Sequence, residues 1–167
     1  MRYKGLARIL ALDLHPRHFG YVVVEGPDKL LDWGVCSRRK GNPADVLIRK
    51  RLRPLLELWR PSLLLIGGPQ QTRPRRNILQ DRFLKRVAAE AKNHRVPVRL
   101  TRKRTGSLGK YENARLVAEH FPVLALSLPP KRKPWESEHY SMSMFDAAVM
   151  AIALPGSQMK VKVIKTA

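Results

Sequence analysis

The chain has 167 residues, with 33 Lys and Arg against 13 Asp and Glu, a formal net charge of +20. That length suits one domain able to bury about 70% of its unfolded surface, and the charge favours polyanionic partners while opposing self-association. The lone Cys36 excludes an internal disulfide framework, no Cys and His spacing matches a structural zinc site, and no apolar run reaches the ~18 to 20 residues a membrane span requires.

Three strand-like runs come first: 7–14, 19–26 and 29–38. Short connections, His-Pro-Arg-His and Gly-Pro-Asp, predict an antiparallel meander. Before them the basic start has a short apolar run broken by Asp13 and no small-residue cleavage motif, so no secretory signal is expected and a soluble, reducing, cytoplasmic setting fits. Asn42, Pro43 and Asp45 supply an N-cap, a first-turn proline and a first-turn acid for a helix over VLIRKRLRPLLELW, which Pro54 should kink or divide. RKRLR at 49–53 reads as a solvated face of that helix.

The continuous apolar run in PSLLLIGGPQQ, 61–71, ended by Gly67, Gly68 and Pro69, suits a buried parallel strand. The polar stretch QTRPRRN at 71–77 reads as a loop. The next helix, NILQDRFLKRVAAEAKNH, can set Ile78, Phe83, Leu84 and Val87 on one side, and VPVRLT at 96–101 follows as a short strand. A basic loop, TRKRTGSLGK, leads into a helix over YENARLVAEHF. A loop over LPPKRKPWESEHY then precedes a last helix over SMFDAAVMAIAL, and MKVKVIK closes the chain. Helices alternating with strands after a meander predict a mixed α/β sheet covered on both faces, as a single domain over 1–156 with a basic tail at 157–167.

Two acids stand out by position. Asp13 ends an otherwise apolar strand, and an ionised side chain buried without a partner costs several kcal/mol. It must therefore face water, pair with a cation or hold a metal, or else accept local hydrogen bonds at the turn before Pro16. Asp146 has two readings. Ser143-Met-Phe-Asp146 has the form of a capping box, yet Asp146, Val149, Met150 and Ala153 share a stripe that would turn the carboxylate towards the sheet.

The order of meander, helix, strand, helix, strand, helix and helix is that of the ribonuclease H-like fold. Within it the chain resembles the RuvC-type Holliday junction resolvases and their relatives in pre-rRNA processing over about residues 7–154. The strand LALDLHPRHFGYVVVEG is similar to the family's opening strand with its catalytic Asp and Gly-aromatic second strand. SMFDAAVMAIAL is similar to its late helix with a second catalytic Asp, and RTGSLGKYENARLVAEHFP to the segment in which a Gly-rich basic turn leads through a Lys into a helix. The resemblance implies a mixed sheet, a three-stranded antiparallel meander plus two parallel strands, flanked by helices. It also implies Asp13 and Asp146 as catalytic residues and ligands of Mg²⁺ or substituting Mn²⁺, branched DNA or structured RNA as partner, and a homodimer on two-fold junctions.

The departures are specific. Resolvases place a Glu at the strand end that here carries Gly67 and Gly68, and an Asp one turn before the late-helix Asp, where this chain has Ser143. The pre-rRNA relatives place an acid after the following strand, where Thr101, Arg102, Lys103 and Arg104 stand. Two-metal hydrolysis sets cations ~3.5 to 4 Å apart, each demanding near-octahedral oxygen ligands, and two carboxylates supply only part of such a set. Glu112, Glu136, Glu138 and His139 are the remaining groups that could approach Asp146.

Basic residues at the same end of the sheet form a candidate nucleic-acid rim: Arg73, Arg75, Arg76, Arg102, Lys103, Arg104, Lys110, Lys131, Arg132 and Lys133. Trp135 or Tyr140 could stack on an unpaired base, or Trp135 could pack over a helix end. His15 and His18 read as exposed turn residues. TGSLGK is no Walker loop, because Arg104 and Tyr111 stand where Gly and Ser or Thr are required. The function expected is a metal-dependent structure-selective endonuclease, or else an inactive nucleic-acid-binding or ribosome-associated scaffold.

Overall fold

The computed structural model describes residues 7–26, 28–67, 74–101 and 109–154, with the side chains of 74–80 left out. Its centre is a five-stranded sheet of order β3-β2-β1-β4-β5, with β1 Arg8–Leu14, β2 His18–Glu25, β3 Lys29–Ser37, β4 Leu63–Gly67 and β5 Val98–Thr101. The meander pairs antiparallel, whereas β1 with β4 and β4 with β5 pair parallel. This is the ribonuclease H-like arrangement expected.

Side-chain alternation divides the core. Leu10, Leu12, Leu14, Leu64 and Ile66 pack on one face against Leu52, Leu55, Leu56, Phe83 and Val87. These come from the helical run after β3, namely α1 Ala44–Leu47, a π turn Ile48–Leu52 and α2 Arg53–Trp59, and from α3 Pro74–Asn93. Ala11, Val22, Val24 and Leu65 pack on the other face against α4 Lys110–His120 and α5 Met142–Ala153.

Pro54 divides the first helical run as expected. With no N–H to donate, it interrupts the ordinary ladder, and the turn before it widens to π spacing. Three boundaries differ from the sequence reading. Pro43, not Asn42, occupies the N-cap of α1, with no side-chain cap bond. Helix α3 begins at Pro74, so Arg75 and Arg76 are helical rather than in a loop, proline being well suited to a first turn. A 3₁₀ helix, Pro122–Ser127, fills the stretch after α4, to which the sequence reading assigned no element.

Candidate nucleic-acid site at the strand ends

Alternation along β1 settles where Asp13 points. It shares parity with Ala11, on the face covered by α4 and α5, and is fully buried. The register sets Asp13 opposite Gly20 of β2. A Cβ on Gly20 would overlap the backbone of Ser143 and Met144, so the bare glycine lets the start of α5 rest directly on β2. That contact brings Asp146, one turn further along α5, to the same end of the sheet.

Asp13 takes the local hydrogen bond open to it at the turn before Pro16, whereas Asp146 does not complete the cap its spacing suggests. His15 Nε2 lies 2.8 Å from Asp13 Oδ2, and since an ionised carboxylate only accepts, the imidazole donates. His15 in turn stacks on His18 at 4.4 Å and 6°. The turn histidines are thus not bystanders: one supports the buried aspartate and the other supports its ring. At α5 the capping box does not form. The N-cap is Ser141 without a side-chain cap bond, and Ser143 lies inside the helix, donating from Oγ to the Tyr140 carbonyl at 2.9 Å. Along the Asp146 stripe Met150 is buried in the α4–α5 core and Val149 and Ala153 are half-buried. The carboxylate meets the start of α4.

The group it meets is Lys110, the first residue of α4. Lys110 Nζ lies 3.5 Å from Asp146 Oδ2 and 3.0 and 2.9 Å from the two Glu138 carboxylate oxygens. Burial works against the ammonium, but Asp146, Glu138 and Asp13 together hold its pKa above the usual lysine range. Glu138 therefore reaches the site from the loop before α5. Glu136 does not, its carboxylate accepting from the Lys133 backbone N–H, and Glu112 faces Arg115. His139 lies ahead of α5, its Nδ1 2.7 Å from Ser141 Oγ, so no continuous helix carries it over Asp146.

The donor set does not fit a divalent cation. The described residues include every Asp, Glu, His and Cys of the chain, and no three of them are grouped closely enough to hold a metal ion. Magnesium demands six oxygens in near-octahedral geometry, and here an ammonium lies among the carboxylates that would have to provide them. The magnesium expected at Asp13 and Asp146 thus lacks a ligand cage among the described residues.

Next to Lys110 an open cavity of about 470 Å³ is lined by Tyr111, Pro130, Lys131, Arg132, Glu138 and His139, among others. Lys131 and Arg132 thus adjoin the site, and Lys133 lies over the Trp135 ring at 5.6 Å. Trp135 is 79% exposed and Tyr140 is 64% exposed, so Trp135 does not pack over a helix end. Arg73, Arg102, Lys103 and Arg104 lie outside the described residues, as do the side chains of Arg75 and Arg76. Sequence spacing could not reveal Glu138 as a partner of Lys110, since that contact depends on the path of the loop before α5.

No protein-family profile matches the chain, and no curated protein matches it in sequence. Solved structures do match in fold. Thermus thermophilus RuvC in complex with a Holliday junction substrate superposes with a TM-score of 0.63 at 21% identity, over 87% of this chain and 90% of that one. The Fowlpox virus resolvase in complex with Holliday junction DNA gives 0.52 at 13% identity, over 87% and 96%. The yeast mitochondrial Holliday junction resolvase gives 0.51 at 16%, over 88% and 77%. With the meander, the two parallel strands and an aspartate at the end of β1 already in place, these likenesses show that the chain has the ribonuclease H-like fold of the RuvC-type Holliday junction resolvases.

Proposed function

We propose that the protein binds branched or structured nucleic acid across the strand-end side of its sheet. The observation that carries this reading is the juxtaposition of Lys110, Lys131 and Arg132 around an open cavity, with Lys110 also meeting Asp146, in a chain of net charge +20. Lys131 and Arg132 contact phosphates and gain from counterion release. The exposed rings of Trp135 and Tyr140 offer faces for unpaired bases, which branch points supply and continuous duplex does not. The solved structures of the same fold bound to Holliday junctions support a four-way junction as the first ligand to try.

A cytoplasmic setting belongs to this reading, as does a dimer matching a two-fold junction. No described helix is long and apolar enough to cross a membrane. The test is fluorescence anisotropy with four-way junctions, flaps, structured RNA and plain duplex over a range of salt. Tighter, salt-dependent binding to the branched or structured ligands is expected. Equal, weak affinity for all four would refute the reading and leave a scaffold that docks on protein partners.

A further inference from the structure

We infer that Lys110 is the built-in cation of the strand-end carboxylates, taking the place of a divalent metal, so that this site holds nucleic acid without hydrolysing it. The inference deepens the nucleic-acid reading at the same site, and its central test needs no nucleic acid, so either can fail alone.

Three features converge on it. First, the carboxylates are engaged from within. Asp13 Oδ2 accepts from His15 at 2.8 Å, Asp146 Oδ2 faces Lys110 Nζ at 3.5 Å, and both Glu138 oxygens bond the same ammonium. A metal would have to displace a cation already held by Asp146 and Glu138, with Asp13 within its electrostatic reach. Like charges in a partly buried site repel strongly, because low dielectric leaves them poorly screened.

Second, the position that could supply a third acid has no side chain. The β1–β4 register pairs Leu12 with Ile66, which sets Gly67 beside Asp13, and Gly67 shares the parity of Leu65, on the α4–α5 face. Third, Ser143, one turn before Asp146, turns its hydroxyl to the Tyr140 carbonyl and not to the carboxylates. The two places where a metal site would be completed are thus occupied by a hydrogen atom and by a hydroxyl already donating elsewhere.

Lys110 is anchored for this role. Its backbone opens α4 directly after Gly109, and its side chain is bracketed by the loop acid Glu138 on one side and α5 on the other. The ammonium also lines the open cavity. It can therefore serve an incoming phosphate without leaving Asp146, a contact that positions a strand and supplies no nucleophile. Hydrolysis requires an activated water, and a lysine ammonium holds its protons at neutral pH and does not generate hydroxide as a metal does.

The experiment titrates Mn²⁺ into the full-length protein and counts bound ions by paramagnetic resonance, with circular dichroism confirming the fold of each variant. Wild type and Lys110→Arg should bind no stoichiometric ion, whereas Lys110→Met should gain affinity by about tenfold or more, the usual scale of coupling between neighbouring sites. Adding Gly67→Glu to Lys110→Met should strengthen binding again. One Mn²⁺ per wild-type chain, lost in Asp13→Asn, would overturn the inference. So would a folded Lys110→Met that binds no better than wild type, or a Lys110→Arg that gains as much as Lys110→Met. Should Lys110→Met not fold, the wild-type titration still decides. Magnesium-dependent cutting of a four-way junction by wild type would also overturn it, while failure to bind any junction would count only against the nucleic-acid reading.

Discussion

The two faces of the sheet each bury an acid, and they treat it differently. On the α2–α3 face Glu90 meets Arg53 Nε at 2.7 Å and His94 Nε2 at 3.2 Å, joining α2 to α3. Donors outnumber carboxylates there. On the α4–α5 face Asp146 and Glu138 share one lysine, and Asp13 lies within that lysine's electrostatic reach. The first cluster is self-contained and works as a staple between helices. The second sits at the ends of strands and reaches, through Lys110 and Glu138, an open cavity that Lys131 and Arg132 also line. What separates a structural ion pair from a candidate site is access to a partner, not burial itself.

The contrast can be broken most forcefully at Gly20. Gly20→Ala drives a methyl into the backbone of α5, so a loss of about 3 kcal/mol or more is expected in denaturant titration, with Asp146 and Lys110 parted. The double change Lys131→Ala with Arg132→Ala leaves the fold intact, both side chains being exposed. It should cut junction affinity about tenfold and reduce the slope of log K against log salt by about 0.9 for each phosphate no longer neutralised.

A smaller effect is expected at the staple. Hydrogen bonding from Arg53 holds the Glu90 carboxyl below the usual range, with burial opposing and His94 assisting. A carboxyl lowered in the folded state stabilises above its unfolded pKa and loses that contribution as pH falls through its folded value. Glu90→Gln should therefore cost about 1 kcal/mol at neutral pH, discounted because the Arg53 side chain is 43% exposed. The difference should begin to shrink as pH falls through the ordinary carboxylate range and close only below the lowered folded value of Glu90, and junction binding should not change. The smallest effect belongs to Cys36, outside both clusters. Burial raises its thiol to about 11, so alkylation at pH 8 should run about 100-fold slower than for an ordinary exposed thiol, with no effect on affinity.

Much of the fold was legible because period and punctuation agree. Alternating strands, glycine-ended apolar runs and amphipathic helices predict the antiparallel meander, the buried parallel strand and a sheet covered on both faces, and Asp13 at the end of β1 is visible as a carboxylate in an apolar run. The chemistry at that end was harder to read. Lys110 and Asp146 are far apart in sequence, and no local pattern announces that α4 and α5 start side by side. Glu138 depends on the path of a loop. Ser143 imitates a cap because the S-x-x-D spacing is the same whether a helix starts at 142 or at 144, and a shift of that size decides whether Asp146 bonds its own backbone or a neighbouring lysine.

The main-chain contact between Gly20 and the first turn of α5 has a consequence for engineering. Because no side chain intervenes, the gap between α5 and β2, the strand paired with Asp13, is set by peptide units alone, like two beams bolted without a shim. Trimming Phe145 or Met144 would loosen the core around that joint while leaving its thickness unchanged. The protein can therefore be stabilised or repacked on this face without retuning the geometry of its strand-end site, provided position 20 stays bare.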